Sequence, residues 1–395
     1  MDRRDFIVKG GAVSAALLAS TSVLGSITKI SKPKRIGVIG TGGRGCGLIS
    51  VTNEIEGLKV VACCDTLPFR LEEGLAKCDK KAKGYVNYKD LLADPKIDAV
   101  IITAPFGLHY QMAVDAIDAG KHVYCEKTTV KGYDAVKNLV KKVKNSNVIF
   151  QTGHQYHSSR MYTHLVDLIK NGKVGKIAAF ECQWNRFSNW RKPVPDPKLE
   201  RDINWRLYKK HSGGLPAELC SHQIDFVNWV LSATPDKVMG IGGIDYWKDG
   251  RETFDNVHLM YSYPEGVKAK FTCINSNKRD GYQIKVIGDK GTLIINQKRA
   301  IFYPSEVKKS LIKKEIDGYS GATVQGAMGY GEQIKVEHLE PTKQALIDFR
   351  ESLLTNKQPA SDVITGCKTA ICVQMGLDAM YNEEIVHWKP EFDII

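Results

Sequence analysis

The sequence lacks the features that would place it outside the class of globular proteins. None of its ten cysteines belongs to a CxxC pair, so a redox motif or paired-cysteine zinc site is not indicated. The 35 glycines and 14 prolines form no repeat, and the apolar and charged fractions, 43% and 25%, are ordinary. Disordered and collagen-like chains are therefore excluded. A length of 395 residues is enough for two domains.

Acidic residues are the scarcer charged class, with 44 Asp and Glu against 56 Lys and Arg. The resulting net charge of +12 could indicate nucleic acid or an anionic surface as a partner. The lysines are scattered, however, and the densest run, near residue 142, has the pattern of the polar face of a helix. We therefore favour a solvated basic surface and expect no nucleic-acid partner. The cysteines are interpreted as buried free thiols.

The N-terminus has the pattern of an export signal. The letters RRDFIVK, residues 3–9, match the twin-arginine pattern, and an apolar run rich in Ala, Ser, Gly and Thr extends from Gly10 to about Ile27. Such a run inserts weakly into membranes, and no cysteine near its end could carry a lipid. We expect residues 1–30 to be a removable signal rather than a short anchor or a disordered tail. The mature protein would then be periplasmic or otherwise exported, without a stable membrane anchor.

The region after the predicted signal divides into two parts that differ in the period of their apolar residues. Short apolar runs alternate with helical periods over residues 33–152, which predicts an α/β Rossmann domain with a doubly wound parallel sheet. Residues 153–395 begin with one more helix and continue with extended segments joined by the turn sequences YPEG and GDKG. This pattern predicts an α+β substrate domain with a mostly antiparallel sheet.

The letters GTGGRG, residues 40–45, fit GxGxxG between a predicted strand and a predicted helix. Such glycines let the backbone approach a pyrophosphate at a helix N-terminus. Asp65 ends the next strand, twenty residues after Gly45. It would accept hydrogen bonds from ribose hydroxyls and repel a 2′-phosphate, which favours NAD over NADP. The candidate cofactor contacts are Gly40, Gly42, Gly43, Arg44, Gly45 and Asp65.

The stretch TAPFGLHYQMAVDAIDAGKHVYCEK, residues 103–127, resembles the glucose–fructose oxidoreductase and inositol dehydrogenase (Gfo/Idh/MocA) family. A TxP segment, a histidine, an AGKHV strand and a Glu-Lys pair occur there in this order. The resemblance covers nearly all of the chain after the signal and implies hydride transfer to or from sugars, cyclitols and their derivatives. It also implies an open sheet in the second domain, and a homo-oligomer, either a dimer or a tetramer. The further cofactor-binding candidates are Arg70, Thr103, Pro105, His109, Glu126 and Lys127.

The stretch SGGLPAELCSHQIDFVNWVL, residues 212–231, is similar to the family's segment GGG…DxGxHxxD, which faces the nicotinamide. His222 matches, while Glu218 stands where Asp is usual, one helical turn before it. Thr128 likewise stands where the family usually has proline. Histidine suits a proton acceptor because its pKa lies near working pH. The resemblance implies that His222 is the base or acid, Lys127 a hydrogen-bond donor to the reacting oxygen, and Glu218 an orienting or substrate-binding carboxylate.

Two further stretches supply substrate candidates. GHQYHSSR, residues 153–160, should lie at the domain junction, and its two histidines without a third ligand do not indicate a metal. The long loop over residues 185–210 could stack tryptophans on a sugar, with Arg191 and Arg206 reaching hydroxyls or carboxylates, or could instead bury a subunit contact. The substrate-binding candidates are His154, Gln155, Tyr156, Arg160, Trp190, Trp205 and Asp225.

Export limits how such an enzyme could use its cofactor. The twin-arginine route moves folded proteins, so NAD could be loaded inside and the thiols buried beforehand. Free NAD is scarce outside, so the cofactor should stay bound and be regenerated at each turnover. We therefore expect an oxidoreductase acting on a secondary hydroxyl of a sugar or glycoside, with carbon 3 as the candidate position.

Three alternatives stay open. The first is an NAD-dependent glycosidase that works by transient oxidation, elimination and re-reduction. The second is a dehydrogenase that forms 3-ketoglycosides and is paired with a separate acceptor or hydrolase. The third is a non-catalytic carbohydrate-binding protein, against which the presence of Lys127 and His222 argues.

Overall fold

In the computed structural model, the short apolar runs that follow Lys34 form a six-stranded parallel sheet. In chain order its strands are β1 (Lys34–Ile39), β2 (Leu58–Cys64), β3 (Lys83–Tyr85), β4 (Ala99–Ile102), β5 (His122–Cys125) and β6 (Phe150–Thr152). The spatial order β3-β2-β1-β4-β5-β6 is that of a doubly wound Rossmann fold, so the predicted fold class is confirmed. The structure describes residues 32–297, 299–305 and 330–393, and the predicted signal lies outside them.

Helices cover both faces of this sheet. They are α1 (Gly43–Asn53), α2 (Pro68–Leu75), α3 (Tyr88–Ala93), α4 (His109–Asp118) and α5 (Tyr133–Lys144). The lysine-rich run lies on α5, whose valines and leucine are buried on the opposite face, as predicted. Strand β3 and helix α3 were not predicted from the sequence, because elements of three and six residues are too short to show a period.

A second sheet of nine strands follows α6 (Arg160–Lys170). Its strands are β7 (Ile177–Trp184), β8 (Lys237–Gly243), β9 (Asn256–Ser262), β10 (Lys268–Ile274), β11 (Tyr282–Gly288), β12 (Gly291–Ile295), β13 (Ala300–Pro304), β14 (Glu332–Ile334) and β15 (Val386–His387). The order is β14-β13-β12-β11-β7-β10-β9-β8-β15. Only β7 and β10 pair in parallel among the described strands of this sheet. YPEG joins β9 to β10 and GDKG joins β11 to β12, both as antiparallel hairpins.

Four more helices complete the described fold: α7 (Glu200–Ile203), α8 (Ser221–Leu231), α9 (Pro341–Thr355) and α10 (Val363–Asn382). A π-helical turn, Pro216–Cys220, leads directly into α8. The α9 helix returns to the first sheet, where Phe349 packs edge-on against Tyr124 with 5.7 Å between ring centroids. The predicted domain boundaries stay predictions. No described helix has the length and apolar character needed to cross a membrane.

All ten cysteines are free thiols, and nine of them are buried. Burial raises the pKa of the Cys64 thiol to about 12, so this thiol stays protonated near neutral pH. The interpretation of the cysteines as small buried apolar groups is therefore confirmed.

We predict that Phe349→Ala lowers the free energy of unfolding by about 3–5 kcal/mol, because it leaves a cavity between α9 and the first sheet. Leu354→Ala is the matched control, since Leu354 on the same helix is 42% exposed and should lose less than about 1 kcal/mol. Denaturant unfolding followed by circular dichroism measures both. Equal losses in the two variants would contradict the packing described for α9.

Candidate active site

The loop between β1 and α1 brings the backbone close to a groove at the carboxyl ends of the parallel strands. Gly40 has a φ of 92°, in the left-handed region that favours glycine. A Cβ at Gly45 would lie 1.9 Å from the Gly40 carbonyl oxygen, so only glycine lets α1 pack against the loop. At Gly43, the first residue of α1, a Cβ would meet nothing within 4 Å, which leaves the helix N-terminus open. Gly45 thus acts through packing and does not line the groove.

The groove has a volume of about 680 Å³ and the chemistry to hold NAD. The first turn of α1 carries no acidic side chain, so the positive end of its dipole is available to a pyrophosphate. The Asp65 carboxylate accepts hydrogen bonds from the backbone N–H groups of Thr41 (2.8 Å) and Leu67 (3.0 Å), with lone pairs left for ribose hydroxyls. The predicted cofactor contacts that line the groove are Gly40, Gly42, Gly43, Arg44, Asp65, Arg70, Thr103 and Pro105.

A second cavity, of about 560 Å³, adjoins this groove. The residues that line both are Arg44, Thr103, Ala104, Lys192, Trp205 and Arg206. The predicted site residues that line the second cavity are His109, Glu126, Lys127, Gln155, Trp190, Trp205, Glu218 and His222. The fold therefore brings the predicted catalytic residues together beside the cofactor groove.

Lys127 follows β5 and reaches the turn that precedes α8. Its ammonium donates hydrogen bonds to the carbonyl oxygens of Glu218 (2.9 Å) and Ala217 (3.4 Å). Burial lowers the pKa of Lys127 from 10.5, against the opposing effect of nearby carboxylates. The Lys127–Thr128 peptide bond is cis. The Thr128 hydroxyl donates to the Ala217 carbonyl oxygen (3.0 Å), a bond that proline at this position could not make.

His222 lies in the first turn of α8 and is only 5% exposed. Its ring contacts Tyr156, Trp184 and His154, with centroid distances of 5.0, 5.7 and 6.0 Å. Its Nδ1 has no hydrogen-bond partner among the described residues. Burial, together with the positive charge of Lys127, lowers the pKa of His222 well below 6.5. The imidazole is therefore neutral near pH 7 and able to accept a proton.

Glu218 lies in the π-helical turn, so it is not one regular α-helical turn before His222 as the sequence predicts. Its carboxylate accepts a hydrogen bond from Arg206 Nε (2.8 Å), and no hydrogen bond joins Glu218 to His222. Burial acts to raise the pKa of Glu218, but the charges of Arg206 and Lys127 outweigh it and lower the pKa. The carboxylate predicted to orient a neighbour or bind substrate is therefore held by Arg206 in this structure.

Asp225, a predicted substrate contact, does not line the cavity. Its carboxylate lies 3.0 Å from Nε2 of His157 and accepts a hydrogen bond from the Thr369 hydroxyl (3.1 Å), and the residue is 2% exposed. Three residues along α8 from His222, it faces the protein interior rather than the cavity. No group of three or more His, Cys, Asp or Glu side chains in the described ranges is arranged to hold a metal ion.

The segment after β6 contributes less to the cavity than predicted. Gln155 lines it, whereas His154, Tyr156 and Arg160 do not. His154 and Tyr156 are buried behind His222, and the Arg160 side chain is 59% exposed on the surface, 3.9 Å from Asp348. The chain turns tightly after His154, so neighbouring residues point in different directions.

Two predicted cofactor contacts hold other residues in place. The ring nitrogens of His109 lie 2.8 and 3.0 Å from the carbonyl oxygens of Ala104 and Thr128, which ties together the loops that follow β4 and β5. Glu126 forms an ion pair of 2.7 Å with Arg44 at the boundary between the groove and the second cavity. Both residues line the second cavity and position its walls.

Trp184 and Arg186 also line the cavity, although neither was predicted from the sequence. Trp184 is the last residue of β7, and Arg186 follows in the segment that leaves the strand. Their position at the end of a predicted strand in the substrate domain is a signal that could have identified them.

Two family models match this chain, one over the parallel sheet and one over part of the second sheet. Residues 34–154 match the oxidoreductase family with an NAD-binding Rossmann fold (GFO_IDH_MocA), and residues 162–294 match the GFO/IDH/MocA C-terminal domain. The chain belongs to the GFO/IDH/MocA family. The family resemblance predicted from residues 103–127 is thereby confirmed, and the cofactor of this family's Rossmann domain is NAD.

Relatives of this GFO/IDH/MocA protein include inositol 2-dehydrogenase of Salmonella paratyphi B, 30% identical over 200 residues (50% of this chain and 54% of the relative). A glycosyl hydrolase family 109 protein of Shewanella amazonensis is 28% identical over 225 residues, or 53% and 49% of the two chains. The chain spans about half the length of these relatives. A levoglucosan dehydrogenase structure with NADH and levoglucosan has a TM-score of 0.73 at 16% identity, covering 90% and 99% of the two chains, and shows the same fold.

We predict that Gly45→Ala weakens NAD binding at least tenfold and lowers stability, because the new methyl group forces α1 away from Gly40. Gly47→Ala is the matched control: it lies on the same helix, is exposed, and its Cβ would meet nothing within 4 Å. NADH fluorescence titration and thermal unfolding measure the two effects. An unchanged affinity in Gly45→Ala would show that the close approach of α1 to the loop is unnecessary.

Proposed function

We propose that the protein is an NAD-dependent oxidoreductase acting on a secondary hydroxyl of a sugar, polyol or glycoside. The observation that carries the proposal is that Lys127 and His222 line one cavity, and that this cavity shares walls with the NAD groove. A neutral imidazole, a buried ammonium and several tryptophans suit a polyhydroxylated ring. Dehydrogenases of inositol and levoglucosan among the similar proteins support the same substrate class.

The proposed roles follow from the protonation states of the two groups. Bound NAD supplies a hydride acceptor. His222, neutral because it is buried, accepts the hydroxyl proton of the substrate. Lys127 donates a hydrogen bond to the reacting oxygen, while its bonds to the carbonyl oxygens of Ala217 and Glu218 hold the ammonium in place. Trp190 and Trp205 offer apolar faces on which the ring can stack.

A redox-neutral glycosidase is the second candidate, with oxidation at carbon 3, elimination of the aglycone, addition of water and re-reduction. The similarity to a glycosyl hydrolase family 109 protein supports this second candidate. Incubation with aryl glycosides in deuterated water separates the two: solvent deuterium at carbon 2 of a released sugar indicates elimination, and a stable ketoglycoside indicates dehydrogenation. Absence of both, with no reduction of NAD by any sugar, indicates a carbohydrate-binding protein.

The cellular setting is part of the same proposal. The twin-arginine pattern at residues 3–9 supports export in the folded state, with NAD already bound and retained through each turnover. Mass analysis of the purified mature protein for bound dinucleotide tests retention.

The proposed homo-oligomer, a dimer or a tetramer, would use the open face of the second sheet, where Met239 and Met260 lie side by side on β8 and β9 and are exposed.

We predict that His222→Asn lowers kcat for sugar oxidation by roughly a hundred- to ten-thousandfold, because the proton acceptor is lost. NAD affinity should stay within about twofold of the original, since His222 does not line the cofactor groove. His164→Asn, a change at an exposed histidine of α6, is the control and should leave kcat unchanged. Because the cofactor is proposed to stay bound, turnover is measured as the reduction of an added dye that re-oxidises the bound NADH. An undiminished kcat in His222→Asn would remove the imidazole from the mechanism.

The pH profile of kcat/KM is also predicted. Because burial lowers the pKa of His222 well below 6.5, activity should be lost only as pH falls below 6.5 and the imidazole becomes protonated. Burial also lowers the pKa of Lys127 from 10.5. As the pH rises, activity should therefore be lost through deprotonation of this ammonium, with the midpoint of the basic limb below pH 10.5. Initial rates measured across the pH range, on a substrate that is itself stable over that range, test both the acidic and the basic limb of the profile. An acidic limb centred above pH 6.5 would contradict the assignment of His222.

A further inference from the structure

Arg186 is a cation of the second cavity that forms no ion pair with an acidic side chain among the described residues. Its backbone N–H donates to the Ile274 carbonyl oxygen (2.8 Å), which fixes the segment after β7 to the end of β10. Its guanidinium lies 5.2 Å from the centroid of the Trp184 ring. No oxygen in the described part of the chain accepts a hydrogen bond from this guanidinium. The guanidinium is therefore positioned by its contact with the Trp184 ring, and its N–H donors stay available to a ligand.

The other arginines of the cavity are neutralised by carboxylates. The pairs are Arg44 with Glu126 (2.7 Å), Arg206 with Glu218 (2.8 Å), and Arg191 with Asp249 (3.3 Å) and Glu200. Of the four arginines that line this cavity, Arg186 is therefore the one that has no carboxylate partner among the described residues.

The cofactor does not account for Arg186 either. Arg44, Lys192 and Arg206 line both the groove and the cavity, whereas Arg186 lines the cavity alone. Burial lowers the pKa of Arg186 from 12.5, with the charge of Arg206 acting in the same direction, so an incoming anion would relieve both effects. A guanidinium in this setting is a ready-made partner for a carboxylate or a sulfate.

The ligand class follows from the neighbours of Arg186. Trp184 contacts both the Arg186 guanidinium and the His222 ring, the latter at 5.7 Å, so one aromatic side chain separates the cation from the proposed base. A group bound at Arg186 therefore belongs to a different part of the substrate from the carbon that is oxidised. We propose that the cavity takes an acidic carbohydrate, whose carboxylate or sulfate ester binds Arg186 while a ring hydroxyl faces His222.

This proposal rests on the proposed function for the position of the reacting hydroxyl, and its test separates the two. Matched substrates are methyl glucuronide and methyl glucoside, which differ only in a carboxylate or a hydroxymethyl group at carbon 5, with glucose 6-sulfate against glucose as the sulfate arm. Binding is followed by tryptophan fluorescence and turnover by NADH formation, with NAD present in both assays. The variants are Arg186→Gln, Arg186→Lys and the control Arg279→Gln, at a side chain that is 88% exposed and does not line the cavity.

We expect the unmodified protein to prefer at least one acidic sugar over its neutral match. Arg186→Gln should weaken the acidic ligand roughly ten- to hundredfold, mostly through KM, and the neutral one by less than about threefold. Arg186→Lys should recover part of the loss, and Arg279→Gln should change nothing. Added salt should weaken the acidic ligand selectively.

Equal losses for acidic and neutral sugars in Arg186→Gln, or a preference for neutral sugars in the unmodified protein, would overturn the proposal. Binding of methyl glucuronide or glucose 6-sulfate that depends on Arg186 but yields no NADH would uphold the anionic subsite and reject the dehydrogenase. Oxidation of neutral sugars without binding of methyl glucuronide or glucose 6-sulfate would uphold the dehydrogenase and reject the anionic subsite. The two arms tell a carboxylate from a sulfate.

Discussion

The hydrogen bond from the Lys127 ammonium to the Glu218 carbonyl oxygen is the contact on which the candidate site depends. Lys127 follows strand β5 of the parallel sheet and Glu218 lies in the turn that precedes α8, so this bond, with those to the Ala217 carbonyl oxygen, joins the cofactor half of the site to the substrate half. The same turn leads to His222. A shift of either element would therefore separate the two groups that the proposed chemistry requires to act on one hydroxyl.

Burial determines the chemistry of each group at this junction. It keeps His222 neutral and lowers the pKa of Lys127. Burial also acts to raise the pKa of Glu218, but the charges of Arg206 and Lys127 outweigh this effect. The ion pair with Glu218 balances the charge of Arg206, whereas no carboxylate among the described residues pairs with Arg186. The cavity thus combines a proton acceptor that works near neutral pH with cationic side chains, among them Arg186, an arrangement suited to a polar, negatively charged ring.

The parallel sheet and the glycine loop could be predicted because their signals are local. Strand and helix periods alternate along the chain, and the spacing from Gly45 to Asp65 reflects one βαβ unit. The same holds for the hairpins at YPEG and GDKG, which turn residues specify. The sequence could not show that Asp225 and Arg160 lie outside the cavity lining, because a motif gives the identity of a residue but not the direction in which its side chain points. The π-helical turn at Glu218 has no comparable sequence signal.

The sequence by itself determined the fold class, the dinucleotide loop and the identities of Lys127 and His222 as candidates, since each depends on residue types at short spacings. Only the tertiary structure decided which side chains meet. It turned Asp225 into the interior, paired Glu218 with Arg206, and brought Arg186 beside Trp184 in the cavity of His222. Contacts between residues distant in the sequence depend on how two sheets and the helices between them pack, and no local pattern records that packing.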